Sequence, residues 1–277
     1  MPRLHSILLA ITLVASVAPP ARAQADTIAR RPLFTAGDAL LVGGVALGTR
    51  FIYPLDERYR RRLQDSSTQA NRRLQTLSAI VTTTVAPGAY IVGGTLYAAG
   101  RLADKPKLAD VGLHGTEALI VGEIVASTLK IIIGRARPYV GTGPDDFALG
   151  RGLRRRDYKS FPSGHTTAAF AAAAAVSSEA SRYAPGQRVL IGAVMYSGAA
   201  AAGISRMYNN QHWASDIIAG AGIGTLAGLK VVRFHHENPG TITDRFFLAG
   251  SLIPDGDGGQ RIRWMLLPAA LSPAGRR

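Results

Sequence analysis

Six stretches of the chain are dominated by Ala, Leu, Val and Ile, and most of the Gly and Pro fall in the connectors between them. Each stretch is too long for a strand, which predicts six helices over roughly 36–52, 75–100, 109–134, 164–181, 187–204 and 213–233. Pro87 inside the second should kink or split it, because proline removes one helical hydrogen bond and clashes with the preceding turn. Gly220, Gly224 and Gly228 recur every four residues along one face of the last helix, a spacing that suits close helix–helix approach. Gly220, Gly222 and Gly224 also spell a Gly-x-Gly-x-Gly run, but no strand precedes it, so a nucleotide loop is not indicated. Beyond residue 240 the pattern changes. Phe246 to Ile253, a turn at Asp255–Gly259, and Arg261 to Leu267 predict a β-hairpin. The expected fold is all-α, with a helical domain over 36–240 and a C-terminal tail over 241–277 carrying the hairpin.

The first residues follow another logic. Arg3 and His5 precede an apolar run from Ile7 to Val17, followed by Pro19, Pro20 and Ala21-Arg22-Ala23. A basic start, a short apolar core and small residues at the cleavage position match a secretory signal over 1–23, cut before Gln24. The run is short for a bilayer span, which disfavours the alternative of a retained anchor helix. Residues 24–35 then read as a flexible polar lead-in. The chain has no cysteine, so disulfides, thiolate nucleophiles and Cys-ligated metals are excluded.

The formal net charge is +14, and loss of Arg3 and Arg22 with the signal leaves +12. Such a chain attracts anions. Nucleic acid is not the indicated partner: no DNA- or RNA-binding motif is visible, and the charge is not interleaved with exposed aromatics. A phosphorylated substrate or anionic lipid accounts for the charge equally well. Two connectors are arginine-rich, the first with Arg58 to Arg62 and Arg72-Arg73, the second with Arg151 to Lys159. Taken singly, each reads as a solvated loop.

Three short runs carry the chemistry: Lys130-x6-Arg137-Pro138, Pro162-Ser163-Gly164-His165, and Ser205-Arg206-x5-His212-x3-Asp216. In an up-and-down bundle the connection from the third to the fourth helix and that from the fifth to the sixth emerge at the same end, so all three runs should meet there. His212 and Asp216 are four apart on a predicted helix, where the carboxylate can accept the ring Nδ1–H and leave Nε2 free as a nucleophile. His165 has Ala169 at the matching position, lacks that support, and suits a proton donor. Ser163 is the expected N-cap, with Gly164 allowing close backbone approach, and Lys130, Arg137 and Arg206 would surround the oxygens of a tetrahedral anion. The other histidines considered, His114, His235 and His236, read as filler, and the adjacent pair lacks metal-site spacing.

Together these runs resemble the three-part signature of the type 2 phosphatidic-acid phosphatase superfamily, which includes bacterial acid phosphatases and vanadium haloperoxidases. Every signature position is filled. The resemblance covers roughly residues 109–233 and implies a six-helix core and metal-independent hydrolysis with no cofactor. It implies phosphate binding by Lys130, Arg137, Ser163, Gly164 and Arg206, with His165 as acid, His212 as nucleophile and Asp216 as its orienter. A lipid-linked monoester or diphosphate is the substrate class expected. A soluble periplasmic acid phosphatase, a vanadate-dependent haloperoxidase and a noncatalytic phospholipid-binding protein are the alternatives.

Membrane association is expected, in the cell envelope. The 75–100 segment is long and apolar enough to span a bilayer, whereas the first and third carry Asp38, Glu117 and Glu123. Six spans after a cleaved signal would turn the site and the arginine-rich connectors to the cytoplasm, as the positive-inside rule accepts. Relatives acting on exported lipids work on the outer face, and a peripheral or soluble bundle removes that conflict.

Overall fold

The computed structural model describes residues 33–238, 251–254 and 260–263. The expected signal over 1–23 and most of the polar lead-in lie outside the described residues. Eight α-helices are present among those described: α1 (Ala36–Ile52), α2 (Asp56–Leu63), α3 (Ser66–Gln69), α4 (Arg72–Leu102), α5 (Pro106–Ile133), α6 (Gly164–Tyr183), α7 (Arg188–Tyr208) and α8 (Ala214–Glu237). The first arginine-rich connector is not a solvated loop but holds the two short helices α2 and α3. Ser251–Pro254 and Gln260–Arg263 pair antiparallel, with Ser251 opposite Arg263.

Local chemistry sets the helix ends. Asn71 caps α4 by accepting from the Arg73 and Leu74 amides. Gly134, in the left-handed region at φ 59°, ends α5. At α1, Asp38 Oδ2 accepts from the Thr35 amide at 2.6 Å and also from Lys230 Nζ at 2.5 Å, which ties the start of α1 to α8. Around Pro87, α4 bends by 46° between Arg72–Val85 and Pro87–Leu102.

The alanine-rich α6 is the central element and packs against α4, α5, α7 and α8. Its alanines, Ala168 to Ala175 with Phe170 and Ala172 apart, are buried. Small residues let α8 lie almost backbone to backbone on it. A Cβ added at Gly220 would stand 2.7 Å from the Ser163 carbonyl oxygen, one at Gly228 2.6 Å from that of Ala171, and one at Gly224 would collide with that of Thr167. The contacts step by four residues on both helices, so the glycine stripe sets the axial register of α8 against α6. That register determines where the start of each helix, and its functional side chains, comes to rest.

The outer faces are apolar. Leu40, Leu47 and Phe51 on α1, Ile91 on α4, and Val189 and Leu190 on α7 are each at least two-thirds exposed. Among the described residues three helical stretches, Ala36–Leu63, Pro185–Tyr208 and Ala214–Glu237, are long and apolar enough to cross a membrane, and bent α4 makes a fourth if its halves form one span.

Candidate active site

The three runs converge at one end of the bundle. Lys130 lies in the last turn of α5, and Arg137 follows it in the connector; Ser163 caps α6 and His165 sits in its first turn. Arg206 does not lie in the connection after the fifth long helix, as expected, but in the last turn of α7. That helix runs on to Tyr208 because no breaker intervenes before Asn209 and Asn210, the latter in the left-handed region at φ 55°. The Gln211 amide donates to the Arg206 carbonyl at 3.0 Å, and its side chain accepts from Arg137 Nη1. Gln211 therefore links two of the three cations next to His212.

Glycine at 164 lets the tips of two long side chains close in on the backbone. A Cβ there would stand 2.8 Å from Lys130 Nζ and 2.9 Å from a Glu123 carboxylate oxygen, so the ammonium closes directly over the start of α6. Ser163 is fully buried; its hydroxyl accepts from Thr166 Oγ1 at 2.9 Å and caps the Thr166 amide, and its own amide donates to the Asp216 carbonyl at 3.1 Å. Arg137 and Arg206 each keep a buried Nε without a hydrogen-bond partner. Buried donors are normally satisfied, so these two guanidinium nitrogens leave hydrogen-bonding capacity open beside each other's charge.

The support of His212 differs from the expected one. His212 precedes the N-cap residue Trp213, so it is outside α8 and does not share a helical face with Asp216. Its Nδ1 lies 2.8 Å from the Ser160 carbonyl oxygen and 3.6 Å from Asp216 Oδ2. A carbonyl can only accept, so Nδ1 carries the proton and Nε2 keeps its lone pair. Asp216 is engaged elsewhere: Oδ2 accepts from Ser160 Oγ at 2.6 Å and from the Trp213 amide at 2.9 Å, and Oδ1 from Arg135 Nη1 at 2.6 Å. It holds Ser160 in place and supplies negative charge at one remove.

Arg135 and Asp56 escaped the sequence reading. Arg135 is fully buried between Asp216 and Asp56, with Nη2 at 2.7 Å from Asp56 Oδ2 and Nη1 at 2.8 Å from Ser215 Oγ. Its guanidinium carbon lies 5.1 to 5.4 Å from the ring centres of Tyr53, Phe147 and Trp213. This charge network underlies the site and fixes α2, the α5–α6 connector and the start of α8 together. The only hint in the sequence was an arginine two places before Arg137, and nothing there distinguished it from a solvated one.

Both imidazoles are held near pKa 4. Burial is the main cause for His165, reinforced by Arg206, Lys130 and Arg137; for His212 burial outweighs the opposing pull of Asp216. At neutral pH both rings are therefore uncharged. The arrangement supplies a free imidazole nitrogen, a second imidazole that can carry a proton, and three cations around one spot.

Residues 113–239 match the model of the PAP2 superfamily. Among curated proteins, the lipid A 1-phosphatase of Porphyromonas gingivalis is 45% identical over 69 residues. That match takes in 25% of this chain and 15% of the relative, so the chain aligns with a small part of that protein's length. Among solved structures, a transmembrane PAP2-type phosphatidylglycerolphosphate phosphatase from Bacillus subtilis matches with a TM-score of 0.46 at 15% identity, covering 74% of this chain and 98% of that one.

Proposed function

We propose that this chain, whose residues 113–239 belong to the PAP2 superfamily, is a phosphatase that hydrolyses a lipid-linked phosphomonoester or diphosphate through a phosphohistidine at His212. The observation that carries this reading is the meeting of a buried imidazole with a free Nε2, a second imidazole and two guanidinium groups with unpaired Nε atoms. In the first step Nε2 of His212 bonds to phosphorus as the bond to the leaving oxygen breaks, and His165 gives that oxygen its proton. In the second, His165 takes a proton from water, the water oxygen bonds to phosphorus, and the P–N bond breaks to free phosphate. Lys130, Arg137, Arg206 and the amides at the start of α6 hold the equatorial oxygens, where charge concentrates in phosphoryl transfer. These cations do the neutralising that a metal ion does elsewhere, and a cage of ammonium and guanidinium groups does not ligate one.

The charge of the substrate also arms the acid. A dianion beside His165 offsets the three cations that depress its pKa, so the ring takes up a proton when substrate binds. The apolar outer faces of α1, α4 and α7 support a lipid substrate, since a bundle seated in a bilayer presents helix-tip residues near the head groups. The short match to a lipid A 1-phosphatase supports the same class.

The test is phosphate release from phosphatidic acid, phosphatidylglycerol phosphate, undecaprenyl diphosphate, a sugar phosphate and an aryl phosphate. At least one lipid should be turned over with the chelator EDTA present, and orthovanadate should inhibit. His212→Ala should lower kcat by about three orders of magnitude or more while the protein still unfolds cooperatively. Undiminished turnover by that variant refutes the nucleophile.

A further inference from the structure

At the pole opposite the phosphate site, α5, α6 and α8 bring together the histidines that read as filler. His114 Nδ1 lies 2.7 Å from Glu179 Oε1, and His236 Nε2 lies 3.0 Å from both oxygens of the same carboxylate. One donor atom each from His114, Glu179 and His236 fall within 4.8 Å of one another. Glu179 is fully buried, His114 is 3% exposed, and His236 is half-buried at the rim. The cluster is remote from the phosphate cage: Lys130 lies 16 positions along α5 from His114, a rise of about 24 Å.

We propose that His114, Glu179 and His236 form a binding site for a divalent first-row transition ion, zinc foremost, which staples α5, α6 and α8 together. Two imidazoles and a carboxylate from three separate helices are a donor set that zinc takes, with solvent as the fourth ligand at the half-buried rim. At zinc bond lengths of about 2.1 Å, tetrahedral donors stand about 3.4 Å apart, so an ion entering where protons are now shared spreads the two His–Glu contacts, now 2.7 and 3.0 Å, by less than about 1 Å. A buried carboxylate is costly without a compensating positive charge, and a divalent ion supplies it.

The surrounding layer resembles that of a metal site. The His235 ring stacks on His114 with centres 4.4 Å apart, and its Nε2 pairs with Glu117, fixing the orientation of the His114 ring from outside. The metal-site spacing sought within the sequence is missing because the ligands come from three helices, with Glu179 and His236 57 positions apart and His114 and Glu179 65 apart.

The test uses tag-free, full-length protein in detergent, stripped with chelator and titrated with zinc against a chromophoric competitor. One equivalent should bind at micromolar affinity or tighter, raise the unfolding temperature, and be replaceable by cobalt(II) with visible bands of a tetrahedral site. His236→Asn, at the half-exposed position where folding is least at risk, should weaken zinc binding at least tenfold. No stoichiometric binding by the wild-type protein, or equal affinity in the variant, overturns the site and leaves a proton-sharing His–Glu network in its place. Phosphatase turnover is not the readout, so this proposal and the hydrolytic one fail independently.

Discussion

His165 and His212 have the same low pKa of about 4 for different reasons, and the difference matters to the chemistry. His212 is sealed in, with its proton committed to a backbone carbonyl, so its neutral form is built into the fold. His165 is lowered by burial and by cations whose effect a bound anion reverses. Both values lie below the ordinary 6.5, so the unfolded chain binds more protons between pH 6.5 and 4. The stability these rings contribute is complete above 6.5 and is lost as pH falls towards 4. The same logic gives a binding prediction: at pH 6, sulfate, a tetrahedral dianion with no proton of its own to exchange there, should bind with net proton uptake. Calorimetry in buffers of different ionisation heat will measure it, and binding without proton exchange would remove His165 from the anion's surroundings.

The contact between α6 and α8 does for the site what no single side chain can. Gly220, Gly224 and Gly228 let α8 sit against the carbonyls of Ser163, Thr167 and Ala171, and this slides His212 alongside the start of α6. Gly224→Ala puts a methyl group into the Thr167 carbonyl, and a rigid backbone is the neighbour least able to yield. The expected cost is about 1–3 kcal/mol of stability. Turnover should fall as well, because α8 must shift while α6 stays. Denaturant unfolding and kcat measured together will check this; a variant with unchanged values for both would mean that the register is set elsewhere.

The bundle buries charged groups among small apolar residues and turns much of its large aliphatic surface outward. Its buried interior holds Arg135, Asp56, Asp216, Glu179 and His114, while large aliphatic side chains on α1, α4, α5 and α7 face outward. That apolar exterior, with three helical stretches among the described residues fit to span a bilayer, fits an integral protein better than a secreted one. Alkaline carbonate washing of membranes should leave the chain in the pellet. Release into the supernatant would instead favour the soluble periplasmic bundle.

Positions of the long helices were legible in the chain because helix formation depends on neighbours within a few residues, and each apolar run ends in Gly, Pro or a capping side chain. The glycine stripe and the three motif runs were legible for the same reason: their meaning lies in short spacings, and helix order alone puts their tips at one end. Partnerships were not. Arg135 meets residues 79 and 81 positions away, Asp56 meets Ser215 across 159, and the carbonyl that holds His212 comes from 52 residues upstream. A local pattern carries no record of which distant group a buried charge will meet. Only packing decided that Asp216 would brace Ser160 rather than hold the imidazole directly, and that three unremarkable histidines would meet two carboxylates at the far pole.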